Sequence, residues 1–197
     1  MSALPFDHAD ARIVFDVVLG AFVLSELLIR VRSERNRDGS RVDRTSVQVV
    51  QATAIGGLGG AVLLERRLPG AALAGAQWPL FVAGIVLMCA GIALRQWAVA
   101  TLGRFFTIDV RVQASQTVVE RGPYRWVRHP SYTGLILTFL GFGLALGNWA
   151  ALAVAFLVPT AGLVYRINVE ERALLEGLGE PYRRFAASRA RLFPGVW

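Results

Sequence analysis

Residues 132–167 read YTGLILTFLGFGLALGNWAALAVAFLVPTAGLVYRI, and this mostly apolar run establishes the fold class. Gly147-Asn148 divides the run into two blocks, and a dipeptide of this kind favours a turn. The second block is close to the roughly 20 residues that a helix needs to cross a bilayer, and the first is somewhat shorter. We therefore predict two membrane helices joined by a tight turn, which together form a helical hairpin.

The composition extends this prediction to the whole chain. Of its 197 residues, 54% are hydrophobic and only 18% are charged, and the mean hydropathy is +0.47. A soluble domain carries about 25% charged residues, and a disordered chain has low hydrophobicity, so both classes are excluded. We predict an all-α integral membrane protein with about five transmembrane helices. The predicted spans run from about Ile13 to Ile29, Val47 to Leu64, Trp78 to Ala100, Tyr132 to Leu146 and Trp149 to Ile167.

The arginines predict how the chain is oriented. All 21 basic residues are arginine, the formal net charge is +7, and 17 of the arginines fall in residues 30–44, 101–131 and 166–191. These three segments lie on one side of a five-span topology, and an arginine excess marks the cytoplasmic side. We therefore expect a multi-pass protein of the inner cell membrane, with its N-terminus outside and its C-terminus in the cytoplasm.

We expect one domain over residues 1–197, whose parts follow from the spans. Residues 1–100 hold the first three spans, 101–133 a cytoplasmic loop, 134–167 the hairpin and 168–197 a cytoplasmic tail. Cys89 is the only cysteine, so an intramolecular disulfide is excluded. The two histidines, His8 and His129, are too few and too far apart to indicate a metal site.

The first candidate site is residues 122–134, GPYRWVRHPSYTG, at the end of the long loop. Pro130 is suited to the first turn of a helix, where its missing N–H costs nothing. The backbone amides that follow it would lie beside His129 and several arginines, an arrangement that suits a carboxylate or a phosphate. The alternative is an interfacial collar in which the aromatic residues and arginines lie among the lipid headgroups. The residues alone leave both interpretations open.

The second candidate site follows the last span. Helical spacing puts Arg166 and Glu170 on one face, while Glu171 points about 100° away. Such carboxylates at the mouth of a membrane cavity can bind hydroxyls, an amine or a cation; the alternative is a solvated helix end with an ordinary ion pair. Arg95 and Glu26 are charges within predicted spans and could contact each other, although Arg95 could also extend to the interface.

Taken in order, these features resemble the isoprenylcysteine carboxyl methyltransferases, a family of integral membrane enzymes related to the phospholipid N-methyltransferases. The resemblance covers about half of the chain, from Arg95 to Trp197. A departure is Phe185, where tyrosine is common. The matching pieces are Leu94-Arg95 with Leu102–Phe106, Gly122–Arg125, Arg128–Pro130 with Tyr132 and Gly134, and Glu170-Glu171 with Tyr182 and Arg191.

The resemblance implies S-adenosyl-L-methionine as methyl donor, S-adenosyl-L-homocysteine as product, and a cytoplasmic cofactor pocket made by the loop, the last span and the tail. No metal is required, because the methyl group on sulfur is itself the electrophile. Arg95, Arg166 and Glu170 are the predicted catalytic residues. The predicted cofactor-binding residues are Tyr124, Arg128, His129, Pro130, Tyr132, Gly134, Glu170, Glu171 and Tyr182.

The methyl acceptor is the least determined part of this hypothesis. The family name favours a lipophilic or prenylated acceptor with an isoprenylcysteine-type carboxylate, which enters from the lipid bilayer. A phospholipid amine or a small thiol are alternatives, and so is an NADPH-dependent sterol-type reductase, because those enzymes share a similar Arg-His-Pro segment. A non-catalytic membrane adaptor is a further hypothesis. We expect no nucleic acid partner, and the sequence leaves the oligomeric state open.

Overall fold

The computed structural model describes residues 5–35, 40–43, 45–73, 75–113 and 115–195. Within these residues the chain is helical apart from one small two-stranded sheet, which confirms the predicted all-α class. The helices are α1 (Ala9–Arg35), α2 (Thr45–Arg67), α3 (Gln77–Leu102), α4 (Pro130–Ala145), α5 (Trp149–Leu178) and α6 (Glu180–Ser188), and the strands are β1 (Ser40–Asp43) and β2 (Val110–Val112). Short 3₁₀ turns cover Pro5–Asp7, Pro69–Ala71, Gly103–Phe105 and Gly122–Arg125.

Among the described residues, three helices are long and apolar enough to cross a membrane. They are α2, α3 together with the turn that follows it, and α5. The fourth helix is apolar but has only 16 residues. These helices make the chain a multi-pass membrane protein.

The predicted hairpin is formed by α4 and α5. Gly147 adopts a φ of 64°, a conformation that residues with a side chain rarely take. Asn148 then caps α5, because its side-chain oxygen accepts hydrogen bonds from the backbone N–H groups of Ala150 and Ala151. The Gly147-Asn148 pair thus makes the turn that the sequence indicates.

Glycines bring α3 and α4 into backbone contact. A Cβ atom added to Gly134 would lie 2.6 Å from the carbonyl oxygen of Gly91 and 2.9 Å from the backbone nitrogen of Arg95. Close approach through small residues is a usual way for helices to associate where there is no water to drive them together. The contact places Arg95 of α3 beside Ser131 in the first turn of α4.

The last long helix continues beyond the apolar run that predicts it. The predicted span ends at Ile167, whereas α5 continues to Leu178. The added residues include glutamate, arginine, alanine and leucine, which favour helix although they are not all apolar. Arg166, Glu170 and Glu171 therefore project from one continuous helix.

Beyond α5 the chain turns back onto the long loop. Helix α6 presents Tyr182 and Phe185 to the interior of the protein, so its apolar side packs on the loop rather than on lipid. The sheet ties the connection between α1 and α2 to the same loop. Its strands are antiparallel, with Ser40 opposite Val112 and Asp43 opposite Val110.

Candidate active site

A cleft lies where the long loop, the end of α5 and α6 meet, and we call it the loop cleft. Its volume is about 860 Å3 including its open mouth. Phe105 and Phe106 form one side, and Leu174 and Phe185 form another. Its lining also includes seven of the predicted site residues: Tyr124, Arg128, His129, Tyr132, Arg166, Glu170 and Tyr182.

The other predicted site residues are placed around the cleft and not in its described lining. Pro130 is buried as the first residue of α4, and Gly134 lies in the contact with α3. Arg95 lies on the far side of α4, beside Ser131, and Glu171 lies behind His129. These four residues position their neighbours. Contact of Pro130, Gly134 and Glu171 with a cofactor stays a prediction, as does the catalytic role of Arg95.

Glu171 joins three cationic side chains. It is 6% exposed, and its carboxylate forms an ion pair with Arg128 (2.7 Å) and accepts a hydrogen bond from Arg191 (3.0 Å). The ring of His129 donates through Nε2 to the same carboxylate over 3.2 Å. This bond fixes the proton on Nε2 and leaves Nδ1 of a neutral imidazole as an acceptor. Glu171 therefore orients both Arg128 and His129, which line the loop cleft.

Backbone hydrogen bonds join the loop to the chain that follows α6. The amide of Arg128 donates to the carbonyl of Ala190 (2.8 Å), and the amide of His129 donates to that of Arg191 (3.0 Å). The hydroxyl of Thr133 donates to the carbonyl of Leu192 over 2.8 Å. The loop residues of the cleft are therefore held by the last described part of the chain.

Tyr132 is held by a carboxylate and a guanidinium. Its hydroxyl donates to Glu170 over 2.5 Å and accepts from Nε of Arg166 over 3.2 Å. Its ring stacks on that of His129, with the centroids 5.6 Å apart. The predicted pairing of Arg166 with Glu170 is present at 4.0 Å, with the Tyr132 hydroxyl within hydrogen-bonding reach of both.

The remaining nitrogens of Arg166 also have partners. One donates to the hydroxyl of Ser46 over 2.6 Å and the other donates to the carbonyl of Ile108. A carboxylate oxygen of Asp43 lies 3.9 Å from a terminal nitrogen of Arg166. The same carboxylate accepts hydrogen bonds from the backbone at the start of α2. Burial acts to raise the pKa of Asp43, but the hydrogen bonds from Ser46 and Thr45 and the charge of Arg166 hold it below its usual value. Arg166 thus fastens α5 to α2, α4 and the loop.

Two buried polar atoms beside the loop cleft have no hydrogen-bond partner among the described residues. They are the hydroxyl of Tyr182 and Nε of Arg128. Burial, together with the nearby carboxylates of Glu171 and Glu170, raises the pKa of Tyr182, so its hydroxyl keeps its proton at neutral pH. A buried donor without a partner costs free energy. Both atoms therefore indicate that a polar ligand completes this site.

A second cavity lies between α1 and α2, and we call it the α1–α2 groove. Its volume is about 1230 Å3 including its open side, and most of its lining is apolar. Leu27 and Ile55 line it and are also exposed on the outer surface by 55% and 75%, so the groove opens sideways. The residues common to both cavities are Phe106, Thr107, Tyr132 and Arg166.

The polar end of the groove contains the intramembrane charges, and the predicted contact between them is confirmed. Nε and one terminal nitrogen of Arg95 donate to the two carboxylate oxygens of Glu26, the second bond measuring 2.7 Å. The other terminal nitrogen donates to the hydroxyl of Ser131 over 2.6 Å. Arg95 therefore joins α3 to α1 and α4.

Comparison with known proteins shows what the central part of the chain resembles. Residues 84–176 match the model of the isoprenylcysteine carboxyl methyltransferase family. Over these residues the chain is similar to this family. The matched range contains Arg95, Tyr132, Glu170 and Glu171, whereas Glu26 and Tyr182 lie outside it.

Individual proteins show the same similarity. Protein-S-isoprenylcysteine O-methyltransferase A of Arabidopsis thaliana is 33% identical over 123 residues, which are 61% of this chain and 62% of that protein. A probable protein-S-isoprenylcysteine O-methyltransferase of Oryza sativa is 31% identical over 111 residues, 55% of this chain and 58% of that protein. Bacillus subtilis YpbQ is 29% identical over 115 residues, 58% of this chain and 64% of that protein. The chain thus spans less than two thirds of the length of these relatives.

Sequence reasoning missed several partners of the predicted residues. Ser46 and Asp43 hold Arg166, and their segment, Asp43-Arg-Thr-Ser46, has the pattern that commonly precedes a helix. That pattern indicates the start of α2 but not a contact with a residue 120 positions later. Ser131 and Ile108 are partners that no local signal indicates.

Proposed function

We propose that this chain is a membrane-embedded methyltransferase that transfers a methyl group from S-adenosyl-L-methionine to the carboxylate of a lipophilic, isoprenylcysteine-type acceptor. The observation that carries the proposal is the meeting of the two cavities at Tyr132 and Arg166. One cavity is lined by both charged and aromatic side chains and lies against the arginine-rich loop, and the other is apolar and opens sideways. A polar methyl donor and an apolar acceptor fit these two cavities respectively.

The loop cleft suits the parts of the donor. Arg128 and the helix N-terminus after His129 are suited to its carboxylate, and Glu170 is suited to its amine. Tyr124, Tyr182 and Phe185 provide aromatic surface for adenine. The unpaired hydroxyl of Tyr182 and Nε of Arg128 supply hydrogen-bond donors that the ligand can satisfy. S-Adenosyl-L-methionine supplies a methyl group on a positively charged sulfur.

The α1–α2 groove suits the acceptor. Its side is lined by Phe22, Leu27, Val50 and Ala54, which match an isoprenyl chain, while its polar end holds Arg95. A carboxylate is already ionised at neutral pH and therefore needs no general base. The protein then has to position the acceptor oxygen beside the donor and exclude water.

Tyr132 and Glu170 would act at the boundary between the cavities. Glu170 holds the Tyr132 hydroxyl, and Arg166 donates to the same oxygen, so the ring has one fixed orientation. We assign Glu170 to the donor side because it lines the loop cleft. We assign Arg95 to the acceptor side because it lines the groove. Arg166 positions Tyr132 and closes the boundary between them.

Labelled methyl transfer tests this function directly. Purified full-length protein is incubated with methyl-labelled S-adenosyl-L-methionine and, separately, an amine-blocked S-farnesylcysteine, a phospholipid amine and an aliphatic thiol. We expect label only in the farnesylcysteine, as a base-labile methyl ester. In parallel, S-adenosyl-L-homocysteine should raise the thermal unfolding temperature, and NADPH should not. Stabilisation by NADPH alone, or label only in the amine or the thiol, would contradict the proposal.

The membrane arrangement is part of the same proposal. Five helices, α1 to α5, cross the inner cell membrane, with the N-terminus outside and the C-terminus in the cytoplasm. The arginine-rich segments support this orientation. In a Cys89→Ser background, we expect an impermeant thiol reagent to label Gly70→Cys from outside intact cells but Glu120→Cys only after permeabilisation, since both positions are exposed. The opposite labelling pattern would contradict this orientation.

A further inference from the structure

Glu26 occupies the position on Arg95 that a bound acceptor carboxylate would need. Its two oxygens accept from Nε and one terminal nitrogen of Arg95, which is the forked contact that a guanidinium makes with any carboxylate. We propose that Glu26 is a specificity-determining residue, which the carboxylate of the acceptor displaces from Arg95 on binding. This inference rests on the proposed carboxyl methylation.

The exposure of the two side chains supports an exchange. The Arg95 side chain is 8% exposed and that of Glu26 is 31% exposed, and both line the α1–α2 groove. A ligand in the groove therefore meets the carboxylate of Glu26 more readily than the guanidinium behind it. Two carboxylates close together in a site of low dielectric repel each other. An acceptor carboxylate can bind Arg95 only when Glu26 moves away.

The other arginine of the groove is less suited to exchange. Arg166 donates to the hydroxyl of Ser46, the carbonyl of Ile108 and the hydroxyl of Tyr132. Displacing the Ile108 carbonyl would move backbone and leave a polar group without its partner. Glu26 is instead a single flexible side chain, and its departure leaves the hydrogen bond from Arg95 to Ser131 intact.

The displaced Glu26 has a second cationic partner within reach. Arg30 follows it by four residues on α1 and lines the same groove. Glutamate four residues before a cation is the favourable order for an ion pair on a helix. Arg95 is paired with Glu26 in the free protein and with the acceptor in the complex. A buried arginine without a counter-charge would be costly, and the exchange avoids it in both states.

The Glu26→Gln variant distinguishes displacement of Glu26 by the acceptor carboxylate from a role of Glu26 in packing alone. This substitution removes the charge of the side chain and keeps its shape. KM is measured for an amine-blocked S-farnesylcysteine. Ki is measured for the methyl ester of that compound, which has the same chain but no carboxylate. We expect KM to fall about tenfold, because one competing charge is removed from a partly exposed ion pair. Ki and kcat should stay within about twofold of wild type. Asp16→Asn, an exposed acid on the same helix, is the matched control.

Arg30→Gln provides an independent test that leaves the Arg95–Glu26 pair in place. Loss of the second partner should raise KM for the carboxylate about threefold and leave Ki for the ester unchanged. If Glu26→Gln does not yield folded protein, the KM and Ki of Arg30→Gln test the exchange. The exchange is overturned if KM is unchanged in the folded variants, or if KM and Ki change together. Absence of any methyl transfer by the wild-type protein would instead refute the proposed function itself.

Discussion

The loop cleft is built by charged side chains that hold one another, whereas the α1–α2 groove is built by apolar side chains of two helices. Glu171 contacts Arg128, His129 and Arg191 beside the cleft. Along the groove, ordered polar contacts occur at its inner end, where Glu26 meets Arg95. The cleft is therefore specific for one arrangement of polar groups, and the groove selects mainly by length and apolar character.

The residues that match the family model include most of the cleft lining and not the two helices that form the sides of the groove. Residues 84–176 supply most of the cleft and, with Arg95, one partner of the ion pair at the inner end of the groove. Helices α1 and α2, which form the sides of the groove, lie outside this range. Apolar walls tolerate substitution if their volume is kept, but a network of charges does not. In the proposed enzyme, substitutions in the first two helices would therefore change the choice of acceptor while leaving the donor site intact.

Glu171→Gln should have the largest effect, because it removes the carboxylate that holds the cleft together. Loss of one partner from a buried ion pair costs about 3–5 kcal/mol, so we expect S-adenosyl-L-homocysteine affinity to fall at least about 100-fold. Calorimetry in detergent measures the affinity. Glu176→Gln, an exposed glutamate on the same helix, is the control. Equal affinities of the two variants would contradict the role of Glu171 in the cleft.

Ala54→Trp tests whether the groove can be closed without affecting the cleft. Ala54 lines the groove, and an indole there would occupy volume that the acceptor chain needs. We expect KM for a farnesylated carboxylate to rise about tenfold, with unchanged affinity for S-adenosyl-L-homocysteine. Ala52→Trp places the same side chain on the exposed side of α2 and should leave KM unchanged. Equal changes in both variants would show that the groove is not the acceptor site.

Tyr182→Phe has a smaller effect and concerns the cleft alone. The hydroxyl has no partner among the described residues, so its removal should leave the unfolding temperature of the free protein nearly unchanged. Affinity for S-adenosyl-L-homocysteine should fall about fivefold to tenfold, as expected for one hydrogen bond of about 1 kcal/mol. Tyr165→Phe, at an exposed tyrosine of α5, serves as control. A loss of stability without a loss of affinity would place the hydroxyl in packing and not in binding.

Thr133→Val should have the smallest effect, and it concerns the stability of the contact between the loop and the segment after α6. It removes the hydrogen bond to the Leu192 carbonyl while keeping the shape of the side chain. The free energy of unfolding should fall by about 1 kcal/mol, measured by thermal unfolding. Thr160→Val is a suitable comparison, because that hydroxyl has no partner among the described residues. If the two variants unfold alike, the bond to Leu192 contributes nothing.

The sequence predicts the helices well, because hydropathy determines where apolar blocks must lie. It predicts the end of α5 poorly, because hydropathy reports the end of the apolar run at Ile167 and not the end of the helix at Leu178. Helical spacing also predicts that Glu170 and Glu171 point in different directions. Periodicity does not say which of them faces a ligand, because that depends on where the loop packs.

Long-range partners are the part of the site that the sequence could not supply. The Arg95–Glu26 contact could be anticipated, because both are charges near the same end of predicted spans. The contacts of Arg166 with Ser46 and Ile108 depend on how α2 and the loop approach α5. The backbone bonds between the loop and Ala190 have no side-chain signature, so composition and spacing give no indication of them.

The bonds from Arg128, His129 and Thr133 to the segment Ala190–Leu192 have a consequence for biosynthesis. Their partners are made about sixty residues later in translation, after both helices of the hairpin have been synthesised. The helices can therefore enter the membrane while the cleft is still incomplete. The loop acquires these bonds only once Ala190–Leu192 have been made, so we expect a chain interrupted before Ala190 to lack a properly held cleft.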